Sequence, residues 1–300
     1  MSKFGIHALV WVTDWTDESI RYAVNRTAEV GYDLIEAVIF DPAEARPEAT
    51  ARALAQAGLG CVTGMALNNN ADISSPDPAI ARRGEQFIAD ALAATRDMGS
   101  KLLGGVTHSA MQRYLGPAHP AVRNQLVEIY GRLASRAEAA GVRLGLEAVN
   151  RYESNVVNTL DDARWIVEQV DSDALFVHMD TFHMNIEEHD CADAIARNIG
   201  HIGHVHIGES HRGYLGSGSV DFPAFFRALA ANSYDGPIVF EAFSPAVLNH
   251  DVANALAAWR SHWTSSEDLA RHSLAFMRAA MDAAQASMAA RTSFAPRFAA

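Results

Sequence analysis

Eight short runs of strand-type residues, each followed by a stretch with helical spacing, predict an α/β chain folded as a (β/α)8 TIM barrel with extra C-terminal helices. The unit length supports this, because 300 residues give a mean of about 35 per unit. A third observation is that polar residues stand at the ends of the later runs, where barrels keep their chemistry. The predicted strands are Phe4–Val12, Leu34–Ile39, Cys61–Leu67, Leu102–Thr107, Val142–Val149, Leu175–Asp180, Gly203–Gly208 and Ile238–Phe243. Between them, Ala79–Met98 places Ile80, Phe87, Ile88, Ala91 and Leu92 on one face, and Val122–Ala139 does so with Leu126, Ile129, Leu133 and Ala137. Gly31, Gly58, Gly99 and Gly141 stand where helices should end. A doubly wound open sheet shares the alternation, but eight units suit a closed barrel better. After the eighth strand a helix is expected over Ala253–Trp263. Ser265-Ser266-Glu267-Asp268 then reads as a capping box that opens another, to about Met281. No linker or charge run divides the chain, so one domain over residues 1–300 is expected, with a frayed tail at 289–300.

Composition narrows the function. Hydrophobic residues make up 49% and charged residues 20%, an ordinary globular balance. The formal charge of −12 would repel a phosphate backbone, so nucleic acid is not an expected partner. No apolar run reaches the roughly 18 residues of a membrane span. The N-terminus has no signal-peptide pattern, and Cys61 and Cys191 form no CxxC motif, so a cytoplasmic enzyme without disulfides is expected.

The second half of the chain carries the chemistry. Glu147, Asp180, His206 and Glu241 end the fifth to eighth predicted strands, spaced 33, 26 and 35 residues apart. One polar strand end would mean little. Four in consecutive units converge on one point of a barrel mouth. Uncompensated acids there would cost several kcal/mol each, and a bound cation would offset that. Three carboxylates and one imidazole suit one divalent cation, with Mn²⁺ or Mg²⁺ ahead of Zn²⁺ and Co²⁺ a further candidate. The loops beyond these strands are rich in donors and acceptors: Asn150–Asn155, His183 and Glu209–Gly213. They would suit a polyhydroxylated ligand, although Glu209 and His211 taken singly read as ordinary surface residues. His7 and His108 either point into the mouth or are satisfied core histidines. Trp11 and Trp15 read as apolar cover, with Trp15 also a possible wall against a sugar's carbon chain.

Three blocks carry a family resemblance: Glu147-Ala-Val-Asn-Arg-Tyr-Glu153, His178-Met-Asp-Thr-Phe-His183-Met-Asn-Ile-Glu, and His204-Val-His-Ile-Gly-Glu-Ser-His-Arg212-Gly. The chain resembles the ketose 3-epimerases, which act on D-tagatose, D-allulose or L-ribulose, within the sugar isomerase and AP-endonuclease-like barrel superfamily. The resemblance runs from Gly5 to about Met281, and Asn185-Ile-Glu-Glu and Gly208–Gly213 look nearest the L-ribulose branch. It implies that Glu147, Asp180, His206 and Glu241 hold the metal, that Glu147 and Glu241 are the catalytic pair, and that Glu153, His183 and Arg212 meet substrate oxygens. His7 stands at the far sugar wall, where some members have a larger aromatic residue, and Ala66-Leu67 and Val106–Met111 match less well. These departures bear on the substrate preference and leave the reaction type that the resemblance implies intact. The resemblance also implies a homodimer or homotetramer, for which Trp259, Trp263 and the apolar face of Leu269–Met277 offer surface, unless this tail packs only on its own barrel.

The reaction is physically coherent. Inversion beside a ketone needs a proton removed from C3 and returned from the other face, and two facing carboxylates can do both. An aldose–ketose isomerase could use the same parts. A metal-dependent phosphodiesterase would want more histidines and a basic surface. A sugar-binding barrel without catalysis would have no need of the Glu147/Glu241 pair.

Overall fold

In the computed structural model, which describes residues 2–293, eight parallel strands pair in chain order and close into a barrel. They are β1 (Phe4–His7), β2 (Leu34–Val38), β3 (Gly60–Leu67), β4 (Leu102–Ala110), β5 (Arg143–Glu147), β6 (Leu175–Asp180), β7 (Ile202–Ile207) and β8 (Ile238–Phe240). The helices around them are α1 (Asp17–Val30), α2 (Pro47–Ala57), α3 (Pro78–Asp97), α4 (Ala121–Ala140), α5 (Leu160–Val170), α6 (Thr181–Glu187), α7 (Cys191–Asn198), α8 (Phe222–Ala231), α9 (His250–Ala255) and α10 (Ser266–Ser293). The closed ring excludes the open sheet. Ring closure joins β1 to β8 through the Phe4, Gly5 and Ile6 register with Ile238, Val239 and Phe240.

Sequence signals set the helix ends. Thr16 and Thr159 cap α1 and α5 with their hydroxyls, and Thr159 forms a full capping box with Asp162. Pro at the first turn opens α2, α3 and α8. Gly31, Gly58 and Gly141 take the left-handed conformation just past α1, α2 and α4.

The interior is layered by strand position. Along β6, Phe176, His178 and Asp180 face inward at successive heights toward the mouth. Phe176 fills space left by two glycines, since a Cβ at Gly145 or Gly203 would fall 2.5 or 2.6 Å from its ring. The His178 layer above is polar, and the mouth layer above that carries Glu147, Asp180 and His206. β4 pairs with β5 only at Leu102 and Leu103. Beyond that point the Gly105 N–H donates instead to His178 Nδ1 at 3.0 Å.

The C-terminal segment departs from expectation. The helix expected over Ala253–Trp263 is the shorter α9, which starts at an Asn249 cap and ends before Ala257, whose φ is +51°. α10 opens as expected, with Ser265 Oγ accepting from the Asp268 N–H, but runs past Met281 to Ser293. Residues 289–293 of the expected frayed tail continue α10, and 294–300 lie outside the described residues. Leu269, Ala270, Leu274 and Met277 are buried against the chain's own barrel, and Tyr32 donates to the Ala270 carbonyl. Trp263 is buried too, its Nε1–H donating to the Arg212 carbonyl at 3.2 Å. That apolar face and Trp263 are thus not surface offered to a second chain, whereas Trp259 is 73% exposed. No helix among the described residues is long and apolar enough to cross a membrane.

Candidate active site

The predicted ligands meet at the C-terminal mouth. Strand register brings Glu147 beside His178 and Asp180 beside His206. The ligating atoms of Glu147, Asp180 and His206 lie within 4.8 Å of one another. Glu241 is one residue beyond β8, and its N–H still bonds the Ile207 carbonyl, which holds it in line with the strand. Its Oε1 lies 3.5 Å from His206 Nδ1, as does Oε1 of Glu147, and Asp180 Oδ2 is 3.9 Å away. His206 Nδ1 is buried, faces all three carboxylates, and has no hydrogen-bond partner among the described residues.

Asp180 is wholly buried, with Oδ1 capping α6 through the Phe182 N–H at 2.6 Å. Arg212 Nη1 bonds its Oδ2 at 3.2 Å and also pairs with Glu241 Oε2. The guanidinium is stacked on Phe182 at 3.8 Å and on Phe243 at 4.9 Å, and its backbone has a positive φ of 59°. His183 receives both N–H groups of Asn150 on Nδ1, at 3.1 and 2.8 Å, so its proton sits on Nε2. That nitrogen is 3.9 Å from Glu147 and 3.8 Å from Asp180. Asn150 also donates to Glu153 Oε1 at 2.9 Å, so Glu153 orients His183 through this amide. His7 accepts from the Leu9 N–H on Nδ1 and turns Nε2 toward Glu241 at 3.8 Å.

Burial and charge act against each other here. Burial pushes the Glu147 carboxyl above its usual range, with His206 opposing. Burial acts the same way on Asp180, yet the Arg212 guanidinium and His183 outweigh it and hold Asp180 below the usual range. For His206, burial disfavours the charge but Glu36 and Glu241 hold the imidazole well above its ordinary value. His7 is lowered, mainly by burial.

A cavity of 360 Å³ opens above these groups. Of the eight predicted site residues, all but the deeper Asp180 line it: His7, Glu147, Glu153, His183, His206, Arg212 and Glu241. Its outer wall is apolar, with Val38, Ala66, Val106 and Met111 on one side and Val252 and Leu256 of the α9 region on the other. Trp15 is not part of that wall, because its Nε1–H bonds Thr50 and it packs in the core. Glu209 is not a surface acid: it is buried, and its carboxylate accepts the N–H groups of Ser210, Gly216 and Val220.

His108 is a buried core histidine whose Nε2–H holds the Glu147 carbonyl at 2.9 Å. Burial pushes its pKa down to about 4 from 6.5. The unfolded chain therefore binds a proton between pH 6.5 and 4 that the folded chain refuses. This contribution to stability is full above pH 6.5 and is lost on acidification toward 4. His108→Gln keeps a donor for that carbonyl, and should lose about 3 kcal/mol less than the native chain over this window. Parallel urea titrations at pH 7 and 4 measure it; equal losses would contradict it.

Sequence reasoning missed Glu36 on β2. It is fully buried, and its Oε2 lies 2.8 Å from both His204 Nε2 and His206 Nε2. The one available signal was a lone acid inside the apolar run Leu34-Ile-Glu-Ala-Val.

Three carboxylates and one unpartnered imidazole nitrogen form a donor set that fits a hard or borderline divalent cation. A second group, His178, His204 and His206, is also close enough to hold an ion. It offers no carboxylate to offset a cation's charge, and although the Gly105 N–H takes His178 Nδ1 and Glu36 takes His204 Nε2, the other nitrogen of each ring has no partner among the described residues.

Fold and site together describe a barrel enzyme with an acid-rich mouth built for a small polar ligand. Comparison with known proteins gives the particular family. Residues 24–280 match the xylose isomerase-like TIM barrel family. A ketose 3-epimerase of Arthrobacter globiformis is 42% identical over 92% of this chain and 96% of the relative. An L-ribulose 3-epimerase of Mesorhizobium japonicum is 38% identical over 95% and 96%. The solved D-allulose 3-epimerase of Methylomonas sp., in complex with D-allulose, superposes with a TM-score of 0.90 at 39% identity, covering 93% of this chain and 96% of that one. The chain belongs to the ketose 3-epimerases of the xylose isomerase-like TIM barrel family, and it is an isomerase.

Proposed function

We propose that this enzyme inverts C3 of a free ketose of the L-ribulose, D-allulose/D-fructose or D-tagatose type, with one divalent cation, Mn²⁺ ahead of Mg²⁺ or Co²⁺. The observation that carries this is the buried, unpartnered His206 Nδ1, which faces Glu147, Asp180 and Glu241 at the floor of the cavity. These four residues would hold the cation. When bound there, it supplies Lewis acidity to the C2 carbonyl and the neighbouring hydroxyl, which acidifies the C3 proton. Glu147 and Glu241 come from β5 and β8, separated by two strands, so a ligand between them is flanked on two sides. One carboxylate takes the C3 proton, and the other returns a proton to the opposite face of the enediolate. His183 donates to a substrate oxygen through Nε2–H, steadied by Asn150 and Glu153. Arg212, clamped by Phe182 and Phe243, binds ketose oxygens near C1 to C3 and favours the developing negative charge. The apolar wall keeps water from the reacting carbon. The same reading makes the enzyme a cytoplasmic homodimer or homotetramer, with exposed Trp259 available for contact.

Metal removal tests this. Stripping with chelator should abolish epimerisation and lower the melting temperature, because a ligand bound only by the native state stabilises it. Mn²⁺ should restore both. Chromatography over a panel of ketoses and aldoses would identify the substrate. Stripped protein with full activity and an unchanged melting curve would contradict the proposal.

A further inference from the structure

Glu36 has no part in the proton transfers above, yet a carboxylate is costly to bury at the centre of a barrel. The chain makes room for it. A Cβ at Gly64 on β3 would fall 2.4 Å from Glu36 Oε1, so only glycine there leaves that oxygen its space. Gly104 on β4 does the same for its neighbours, since a Cβ there would lie 2.8 Å from His178 Nδ1 and 3.4 Å from His204 Cδ2. Glu36 Oε2 meets two imidazole nitrogens, His204 Nε2 and His206 Nε2, each at 2.8 Å. One oxygen can donate at most one proton, whereas an ionised carboxylate accepts from both rings. His206 is also hemmed in by edge-on contacts with His178, His204 and His7, at centroid distances of 4.2, 5.0 and 5.8 Å.

We infer that Glu36 is a positioning residue: it holds the His206 proton on Nε2 and thereby turns the Nδ1 lone pair toward Glu147, Asp180 and Glu241. His204 braces the same oxygen from its other side and keeps Glu36 aimed. With the other tautomer, His206 would present an N–H to the three carboxylates and no lone pair to a cation. Hydrogen-bonded partners of this kind also raise the basicity of a ligating imidazole. The consequence for metal affinity rests on the proposed metal-dependent function. The position of the proton does not.

The test uses the full chain with ¹⁵N-labelled histidine, metal-free and loaded with diamagnetic Mg²⁺. Two downfield imidazole N–H resonances should appear with their protons on Nε2, one from His204 and one from His206. Glu36→Leu should lose both downfield positions and bind Mn²⁺ about 10–100-fold more weakly by calorimetry. Glu36→Gln keeps an acceptor oxygen of the same reach. It should keep the Nε2 protons, move them upfield, and show a smaller loss of affinity. Melting curves establish that each variant is folded, and if Glu36→Leu does not fold, Glu36→Gln decides. A wild-type His206 that carries no proton on Nε2, or Mn²⁺ affinity unchanged in the folded variants, would overturn the inference. A wild-type chain that takes up no divalent cation would instead sink the metal reading, and the N–H resonances would still settle the role of Glu36.

Discussion

Glu147→Gln and Glu241→Gln should each stop epimerisation in both directions, because every inversion uses both faces of C3. The expected loss in turnover is roughly 10²–10⁴-fold for either change, the usual weight of a positioned acid or base. Each amide keeps one oxygen for the cation, so metal binding should survive in weakened form. Partial reactions should separate the two variants. In deuterated water, one should still exchange the C3 proton of one epimer without inverting it, and the other should do so only for the opposite epimer. The environments already differ: Glu147 is buried beside His178 and His183, while Glu241 shares Arg212 with Asp180. Single-turnover measurements from each epimer would check this. A variant with full activity in either direction would remove that glutamate from the scheme.

Arg212→Ala should reduce turnover by roughly 10²–10³-fold, the scale seen when a donor to developing negative charge is removed. The side chain does two things. It would donate to the substrate, and it is the cation bonded to the buried Asp180 and Glu241. Its loss should therefore also destabilise the metal-free protein, since two buried carboxylates lose their partner. Metal-loaded protein should keep most of its stability and Mn²⁺ affinity. Arg212→Lys should rescue stability better than turnover, because an ammonium restores the charge without the planar fork or the stacking on Phe182 and Phe243. Steady-state kinetics with melting curves at saturating Mn²⁺ would separate these effects. An unfolded Arg212→Ala chain together with an Arg212→Lys variant of native kinetics would make the residue structural.

Much of this was legible in the sequence, for identifiable reasons. Strand and helix periods differ, and glycines and caps punctuate the change, so the eight units could be placed. β1 is shorter than its apolar run because the backbone turns into a 3-10 segment at Ala8, where His7 takes the cap position. The short α9 was misread because Ala253–Trp263 contains no proline or glycine to end a helix; the end comes from positive φ at Ala257. The mouth residues were legible because each ends a strand of known order. Glu36 was not, since its partners lie 168 and 170 residues away and only ring closure brings β2 and β7 to face each other across the interior. Glu209 and Trp263 were misjudged for the same reason. A loop carboxylate and a tail indole look solvent-facing until the backbone groups that they bind are known.

The central claim is that C3 loses its proton to one carboxylate and regains one from another. The Mn²⁺-loaded enzyme, run with its ketose in deuterated water and analysed by NMR at C3, tests it most directly. Solvent deuterium should appear at C3 of the inverted product. Complete inversion with the original hydrogen retained at C3 would contradict the claim.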